Sequence, residues 1–133
     1  AYWNDLLADF HPGDRFTAGA GAAHAEQFVL GEQDTRDLLG PAHRAYHTHI
    51  DDLLLTALGC ALEAVDGGRT HHVLVEGHGR EDIDPALDVS GTVGWFTTLY
   101  PVRLPLGAEL GESIRAVKES LRTVPDKGIG YGP

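Results

Sequence analysis

Cysteine and long apolar runs are scarce in this sequence, and each scarcity excludes a class of protein. Cys60 is the only cysteine among 133 residues, so no disulfide framework can form within the chain and a reducing, intracellular compartment is expected. Cys60 lies in an apolar helical pattern, which favours a small buried residue over a nucleophile. No stretch approaches the roughly 18 apolar residues of a membrane span, and the first residues lack a signal-peptide pattern. We therefore predict a cytoplasmic protein.

Basic residues are also scarce, because 10 Lys and Arg stand against 20 Asp and Glu, for a formal net charge of -10. The sequence contains no cluster of Lys and Arg that could neutralise phosphate groups. Binding to nucleic acid or to an anionic membrane is therefore disfavoured.

The rest of the sequence alternates helical and extended patterns, which predicts an α/β lobe built in layers. One helix is expected from Thr48 to Gly67, with apolar residues at three- and four-residue steps. Its predicted apolar face consists of Ile50, Leu54, Leu58, Ala61, Leu62 and Val65. A strand follows over Thr70–Gly77, and a second amphipathic helix is expected over residues 109–125.

Other segments give weaker patterns. The opening "AYWNDLLADF" has helical spacing, and a loop is predicted over residues 11–23. The stretch "AHAEQFVLG" has strand character, and "EQDTRDLLG" predicts a short helix that starts at Asp34 or Thr35 and ends before Pro41. The later segment "TVGWFTTLYPVRLPL" is predicted to be extended, with an edge or irregular path because it contains two prolines.

Three histidine or glycine patterns suggest chemistry that their context does not favour. His71 and His72 stand at the start of the predicted strand, roughly 13 Å or more from Glu76 at its end, which is too far for a paired base. The stretch "HTHID" (47–51) has no second cluster with zinc-like spacing. The stretch "GIGYG" follows a helix and opens none, so a dinucleotide-binding loop is not expected.

Four segments in one order carry a family resemblance. They are "DDLLLTALG" (51–59), "VEGHGRE" (75–81), "TVGWFTTLYPVRL" (92–104) and "PDKGIGYG" (125–132). Together they resemble the epimerization domains of nonribosomal peptide synthetases, which belong to the condensation-domain superfamily. The resemblance implies a chloramphenicol-acetyltransferase-like lobe in which a mixed sheet packs with helices. Residues 1–133 would form a single C-terminal lobe, without the family's N-terminal lobe and last motif.

The resemblance also implies a reaction, the conversion of an L- to a D-aminoacyl or peptidyl thioester that is tethered to a carrier domain. The α-proton is removed and a proton returns to the opposite face, which requires proton-handling groups on both sides. Glu76, a partly desolvated Glu at a strand end, is the candidate acid/base of this chain. Its partner would be a histidine of the missing N-terminal lobe. We expect no metal and no cofactor of the chain's own, because the phosphopantetheine arm belongs to the carrier domain.

Further site residues follow from the same resemblance. Tyr131 is a second catalytic candidate, although it could equally pack at a lobe edge. His78, Arg80 and Trp95 are substrate-binding candidates: His78 would orient Glu76, and Arg80 would hold a carboxylate. For Phe96 we predict core packing.

Alternatives to these roles remain open at this stage. Glu76 could instead form an ordinary ion pair with Arg80 in a polar turn. The family usually has Arg where this chain has Gly91, which affects a local salt bridge or substrate contact. The chain could therefore be a non-catalytic lobe that docks a carrier domain or, with less support, part of a condensation domain that forms peptide bonds.

Overall fold

The computed structural model describes residues 2–10 and 25–131. The predicted loop over residues 11–23 lies outside the described residues. In chain order the elements are α1 (Tyr2–Leu6), α2 (Glu32–Leu39), α3 (Pro41–Tyr46), α4 (Ile50–Asp66), β1 (Thr70–Gly77), β2 (Thr98–Pro105), α5 (Leu110–Arg122) and a 3-10 helix (Pro125–Gly128). The combination of helices and strands confirms the α/β class.

The two strands form an antiparallel pair, in which Thr70 lies opposite Pro105 and Gly77 lies opposite Thr98. β1 therefore has the bounds that the sequence predicted. β2 contains both prolines of the extended segment, and because Pro101 and Pro105 are four residues apart, they leave the same edge of β2 without N–H donors. Within the described ranges the expected mixed sheet is represented by these two antiparallel strands.

The core lies between β2 and the two long helices. Its central residues are buried side chains of β2, of the turn after it and of α5, namely Val102, Leu104, Leu106 and Val117. Partly buried residues of β1 and α4, including Val73, Val75 and Leu55, pack around them. Burying each such aliphatic side chain contributes about 1.5–3 kcal/mol. The core thus holds α4 and α5 against one face of the strand pair.

The buried face of α4 differs from the predicted one. The structure buries Asp52, Leu53, Thr56 and Gly59, and leaves Leu54, Leu58 and Val65 exposed. The reason is close packing at Gly59, where a Cβ atom would lie 3.1 Å from Leu106 Cδ2 and 3.5 Å from Leu104 Cβ. A small residue at this position lets the helix backbone approach the strands, so the face with the larger apolar residues points away.

Two smaller predictions near the start of the chain are also corrected. Residues 25–31 are exposed and form no strand, because backbone groups enter a strand only where a partner strand pairs with them. Helix α2 begins at Glu32 rather than at Asp34 or Thr35, since the carbonyl of Gly31 already accepts the Thr35 N–H at 2.9 Å. The helical opening is confirmed as α1.

In residues 2–10 and 25–131, no helix combines the length and the hydropathy that crossing a membrane requires.

Candidate active site

The carboxyl end of β1 and the turn after it carry three predicted site residues, Glu76, His78 and Arg80. Glu76 lies opposite Leu99 of β2 and is exposed. After Gly77 the chain turns at Gly79, which has a φ of 66°. A Cβ atom at Gly79 would overlap the carbonyl oxygen of Phe96, so this position requires glycine for both its conformation and its space. The turn therefore brings the segment that follows Glu76 back against the start of β2.

Glu76 has no hydrogen-bond or ion-pair partner within the part of the chain that the structure describes. The ion pair with Arg80, which was the alternative interpretation of this turn, is wrong because the Arg80 guanidinium is engaged elsewhere. Arg80 donates to the carbonyl of Val89 at 2.6 Å and to the carbonyl of Thr92 at 2.8 Å. Glu76 is thus a free carboxylate, although the described residues do not provide the desolvation that was expected for it.

Arg80 holds the loop between the two strands. Its guanidinium carbon lies 4.0 Å from the centroid of the Phe96 ring, in addition to the two carbonyl contacts. A cation over an aromatic face is attracted by the ring quadrupole. Phe96 is therefore half-buried under Arg80 and does not belong to the core cluster for which it was predicted. With both ends of the guanidinium occupied, Arg80 anchors backbone, and binding of a substrate carboxylate by this residue stays a prediction.

Glu81 forms ionic contacts with residues other than Arg80. One carboxylate oxygen of Glu81 lies 3.1 Å from Nε2 of His78, and the other lies 3.5 Å from Nζ of Lys127. His78 Nδ1 also accepts the backbone N–H of Arg80 at 3.0 Å. These contacts join the turn after β1 to the 3-10 helix. His78 therefore contacts Glu81, and its proposed role of orienting Glu76 has no contact in the described residues to support it.

Glu76 lines an open groove of about 900 Å³. The groove lies between the start of α4, the ends of β1 and α5, and the 3-10 helix. Its charged lining residues are Asp51, Asp52, Glu76, Arg122, Asp126 and Lys127. Carboxylates outnumber cations in this set. A groove of this size has room for a substrate of several non-hydrogen atoms next to an unpaired carboxylate.

Tyr131 and Trp95 lie away from this groove. The ring of Tyr131 packs edge-on against Trp3 with centroids 4.8 Å apart. Tyr131 lines a second cavity of about 260 Å³ together with His72 and Leu74. Trp95 is 90% exposed in the loop before β2. The structure therefore does not bring either residue into the groove that Glu76 lines.

The adjacent histidines at the start of β1 have structural partners. His71 is buried; its Nε2 lies 2.8 Å from the carbonyl of Gly68, and its Nδ1 lies 3.7 Å from Asp66. Nε2 of His72 lies 3.0 Å from the carbonyl of Leu6 and 3.4 Å from Asp9. The interpretation of this pair as non-catalytic is thus supported by the structural partners of both rings. Among the residues that the structure describes, no group of three or more His, Cys, Asp or Glu is arranged to hold a metal ion.

Comparison with known proteins identifies the family. The family model described as "Condensation domain" matches residues 1–133. The chain belongs to the condensation domain family. Bacitracin synthase 1 of Bacillus licheniformis is 50% identical to it and aligns with 98% of the chain. The N-(5-amino-5-carboxypentanoyl)-L-cysteinyl-D-valine synthase of Amycolatopsis lactamdurans is 41% identical, also over 98% of the chain. The four segments had predicted the condensation superfamily, and this prediction is confirmed.

Solved structures confirm the fold of the condensation-family chain. The epimerization domain from the third module of tyrocidine synthetase B matches 98% of the chain with a TM-score of 0.76 and 38% identity. The first condensation domain of the calcium-dependent antibiotic synthetase, in complex with a substrate analogue, matches 91% with a TM-score of 0.67 and 25% identity. The chain spans 31% and 28% of these two structures. It spans only 3% and 4% of the two synthases.

Tyr100 of β2 also lines the open groove that Glu76 lines, and no site role was predicted for it from the sequence. Burial raises the pKa of the Tyr100 hydroxyl, and the negative charges of Glu81 and Asp51 raise it further. The signal that could have identified Tyr100 is the register of the two strands, which places it opposite Val75 near the end of β1.

The family's usual Arg position is an open surface in this chain. Gly91 is exposed, and an added Cβ atom would meet no atom within 4 Å. The lack of a side chain at Gly91 therefore creates no cavity among the described residues.

Proposed function

We propose that residues 1–133 form the C-terminal lobe of an epimerization domain, which converts an L-aminoacyl or peptidyl thioester to the D form while a carrier domain holds it. The observation that carries the proposal is the unpaired carboxylate of Glu76 on the wall of a large groove. Two comparisons support it. A neighbour with 38% identity is itself an epimerization domain, and one relative is named for a product that contains D-valine.

The chemistry requires two proton-transfer groups on opposite faces of the substrate. Glu76 takes the proton from the α-carbon, and the electron pair of that bond moves to form an enolate with the thioester carbonyl. A second group returns a proton to the other face. That group belongs to the N-terminal lobe, which would close the open side of the groove and exclude water from it. The described lobe supplies only one of the two groups.

The substrate reaches the groove on the phosphopantetheine arm of a carrier domain. The arm belongs to that partner, and the chain requires no metal or cofactor of its own for this reaction. Carboxylates dominate the groove lining, which disfavours a substrate with an acidic side chain. The groove accordingly suits neutral or cationic aminoacyl groups.

The test is deuterium uptake from heavy water at the α-carbon of carrier-tethered thioesters, with the chain joined to its N-terminal lobe. The panel contains L-aminoacyl and dipeptidyl carriers, with L-valyl among them because of the relative named for D-valine. We expect uptake above the carrier-only background. Glu76→Gln should slow it by about 100- to 10,000-fold, the usual contribution of a general base. Binding of the carrier should be unchanged.

The matched control is Glu32→Gln, the same chemical change at an exposed residue of α2 that pairs only with Arg36 on the surface. This variant should keep the full rate of uptake. Equal rates in the Glu76 and Glu32 variants would refute the role of Glu76. If the folded two-lobe protein shows no uptake with any carrier, the chain is a docking lobe without epimerase activity; amide formation with an acceptor amine would identify a condensation domain instead.

A further inference from the structure

The two outer edges of the strand pair differ in the backbone groups that they offer. In an antiparallel pair, successive residues point their N–H and C=O groups alternately toward the partner strand and away from it. The N–H of Leu106 donates to the carbonyl of Arg69 at 2.8 Å, one position beyond the facing residues Thr70 and Pro105. The odd-numbered residues of β1 therefore bond to β2, and the even-numbered residues direct their backbone groups to the outer edge.

The outer edge of β2 is closed to a further strand. The residues of β2 that point outward include Pro101 and Pro105, which have no N–H to donate. The carbonyl of Arg103, between the two prolines, already accepts the hydroxyl of Ser120 at 2.7 Å. Prolines on an edge strand block the addition of another strand. We therefore regard this edge of β2 as one end of the sheet.

The outer edge of β1 is open. It contains no proline, so each of its outward-facing residues offers both an N–H and a carbonyl, and these residues are Thr70, His72, Leu74 and Glu76. Within residues 2–10 and 25–131, none of these backbone groups has a hydrogen-bond partner. A continuous row of free donors and acceptors is the template on which another strand adds.

Burial of side chains is also incomplete along β1. On the face that the helices cover, Val102 and Leu104 of β2 are 1% and 0% exposed. Val73 and Val75 of β1 share that face but are only half-buried. On the opposite face, Leu74 is 62% exposed. Apolar surface thus continues past β1, and sheets in stable domains usually have more than two strands.

We propose that the outer edge of β1 binds an extended segment of the same synthetase domain, supplied by the part of that domain outside residues 1–133. The chain spans only 31% of the epimerization domain that it matches, so most of such a domain lies outside these residues. A segment of the same polypeptide is present at a high effective concentration, whereas a second copy has to be recruited from solution. Backbone hydrogen bonds provide the pairing, and the side chains of the segment alternate between the two faces.

The added strand passes beside Glu76, because Glu76 is the last of the outward-facing residues of β1. Residues that lie opposite each other on neighbouring strands share a face, with Cβ atoms about 4.5–5.5 Å apart. One side chain of the added strand therefore lies next to that of Glu76 and gives it part of the desolvation that the described residues do not provide. This consequence rests on the proposed function, whereas the strand pairing does not.

The first test is amide hydrogen exchange, followed residue by residue in the complete domain that contains residues 1–133. The N–H groups of Val73 and Val75 point to β2 and serve as the internal reference. The N–H groups of His72, Leu74 and Glu76 should exchange as slowly as the reference, within about tenfold. Fast exchange of this outward set next to slow exchange of the reference would overturn the proposal.

Nuclear Overhauser contacts between the backbone protons of Leu74 and those of its neighbour identify the added segment. We expect contacts to a residue outside residues 1–133 of the same polypeptide. A mixture of labelled and unlabelled protein separates contacts within one polypeptide from contacts between two copies. Contacts to a second copy, or to another part of residues 1–133, would show that the proposed occupant is wrong.

Two proline substitutions form a matched pair. Leu74 and Leu99 are both exposed, and their N–H groups point to the outer edges of β1 and β2 respectively. Leu74→Pro removes a donor that the added strand uses, so exchange at His72 and Glu76 should accelerate by about tenfold, as for one lost hydrogen bond. Leu99→Pro should leave these rates unchanged, because the edge of β2 already lacks two donors.

Equal exchange rates in the two proline variants would contradict the difference between the edges. Protection of Val73 and Val75 in both variants shows that β1 and β2 remain paired. If Leu74→Pro does not fold, the exchange pattern of the wild-type domain decides the question by itself. None of these measurements uses α-proton exchange, so a domain without epimerase activity can still confirm the strand pairing, and an active epimerase can still refute it.

Discussion

The two ends of the strand pair both carry ionisable residues but differ in how these residues are paired. At the end where β1 begins, His71 and His72 have backbone and carboxylate partners. At the end where β1 finishes, Glu76 and the hydroxyl of Tyr100 have no partner in the described chain. The difference separates ionisable residues that hold elements of the fold together from ionisable residues that are available to a ligand.

The comparison also explains why an adjacent histidine pair misleads. Two histidines in the motif of an acyl-transfer enzyme must leave one ring nitrogen available to the substrate. In this strand, His71 points into the helix-covered side and holds the end of α4, while His72 holds α1 on the other side. Both rings are used to join elements of the fold.

The largest effect on stability is expected at Gly79, in the turn that follows β1. Gly79→Ala places a Cβ atom on a residue with positive φ and against the Phe96 carbonyl, so the domain should lose about 2–4 kcal/mol in its free energy of unfolding. Urea unfolding of the two-lobe domain measures this loss. Gly91→Ala is the control, because a methyl group there meets open space. If the two variants lose equal stability, the close contact at Gly79 does not shape the turn.

An intermediate effect on stability is expected at the start of β1, where the two histidines have partners. His71→Ala removes a buried ring that contacts Gly68 and Asp66, so the free energy of unfolding should fall by about 1–3 kcal/mol. Deuterium uptake per folded molecule should remain at the wild-type rate. If a stably folded His71→Ala protein no longer exchanged the α-proton, the distinction between the two ends would be broken.

The smallest effect concerns the titration of Tyr100. Because its folded-state pKa lies above the ordinary value of about 10, the protonated phenol contributes stability that is complete below that value. This contribution is lost as the pH rises through the folded-state pKa. Alkaline titration of tyrosinate absorbance should show the difference between wild type and Tyr100→Phe above the ordinary range, and Tyr46→Phe is the control. Ionisation of Tyr100 at or below the ordinary value would contradict its desolvated position.

Local patterns predicted the elements of the fold better than their packing. The bounds of β1 followed from a short apolar run that ends at glycine, and those of α4 followed from regular spacing and a terminal Gly67. The buried face of α4 did not follow, because apolar residues occur on more than one side of this helix. The close approach at Gly59, which selects one side, depends on residues more than 40 positions away.

The site shows the same limit of sequence reasoning. The order of four segments predicted Glu76 and the family. The absence of a Glu76–Arg80 pair could not be predicted, because the partners of Arg80 are backbone carbonyls in a loop whose path depends on the whole fold. Tyr100 was missed for a related reason, since its place in the wall of the groove depends on the strand register.

The way in which Arg80 anchors the loop between the strands determines which residues of this loop can be substituted. Its hydrogen bonds go to the carbonyls of Val89 and Thr92, and every amino acid offers a carbonyl. Side chains between Ile83 and Val93, apart from Asp84 and Asp88, whose carboxylates accept backbone N–H groups, can therefore be exchanged while the loop stays anchored. A library that randomises the other exposed side chains of this segment and retains Arg80 and Phe96 would be a starting point for engineering new contacts on this surface.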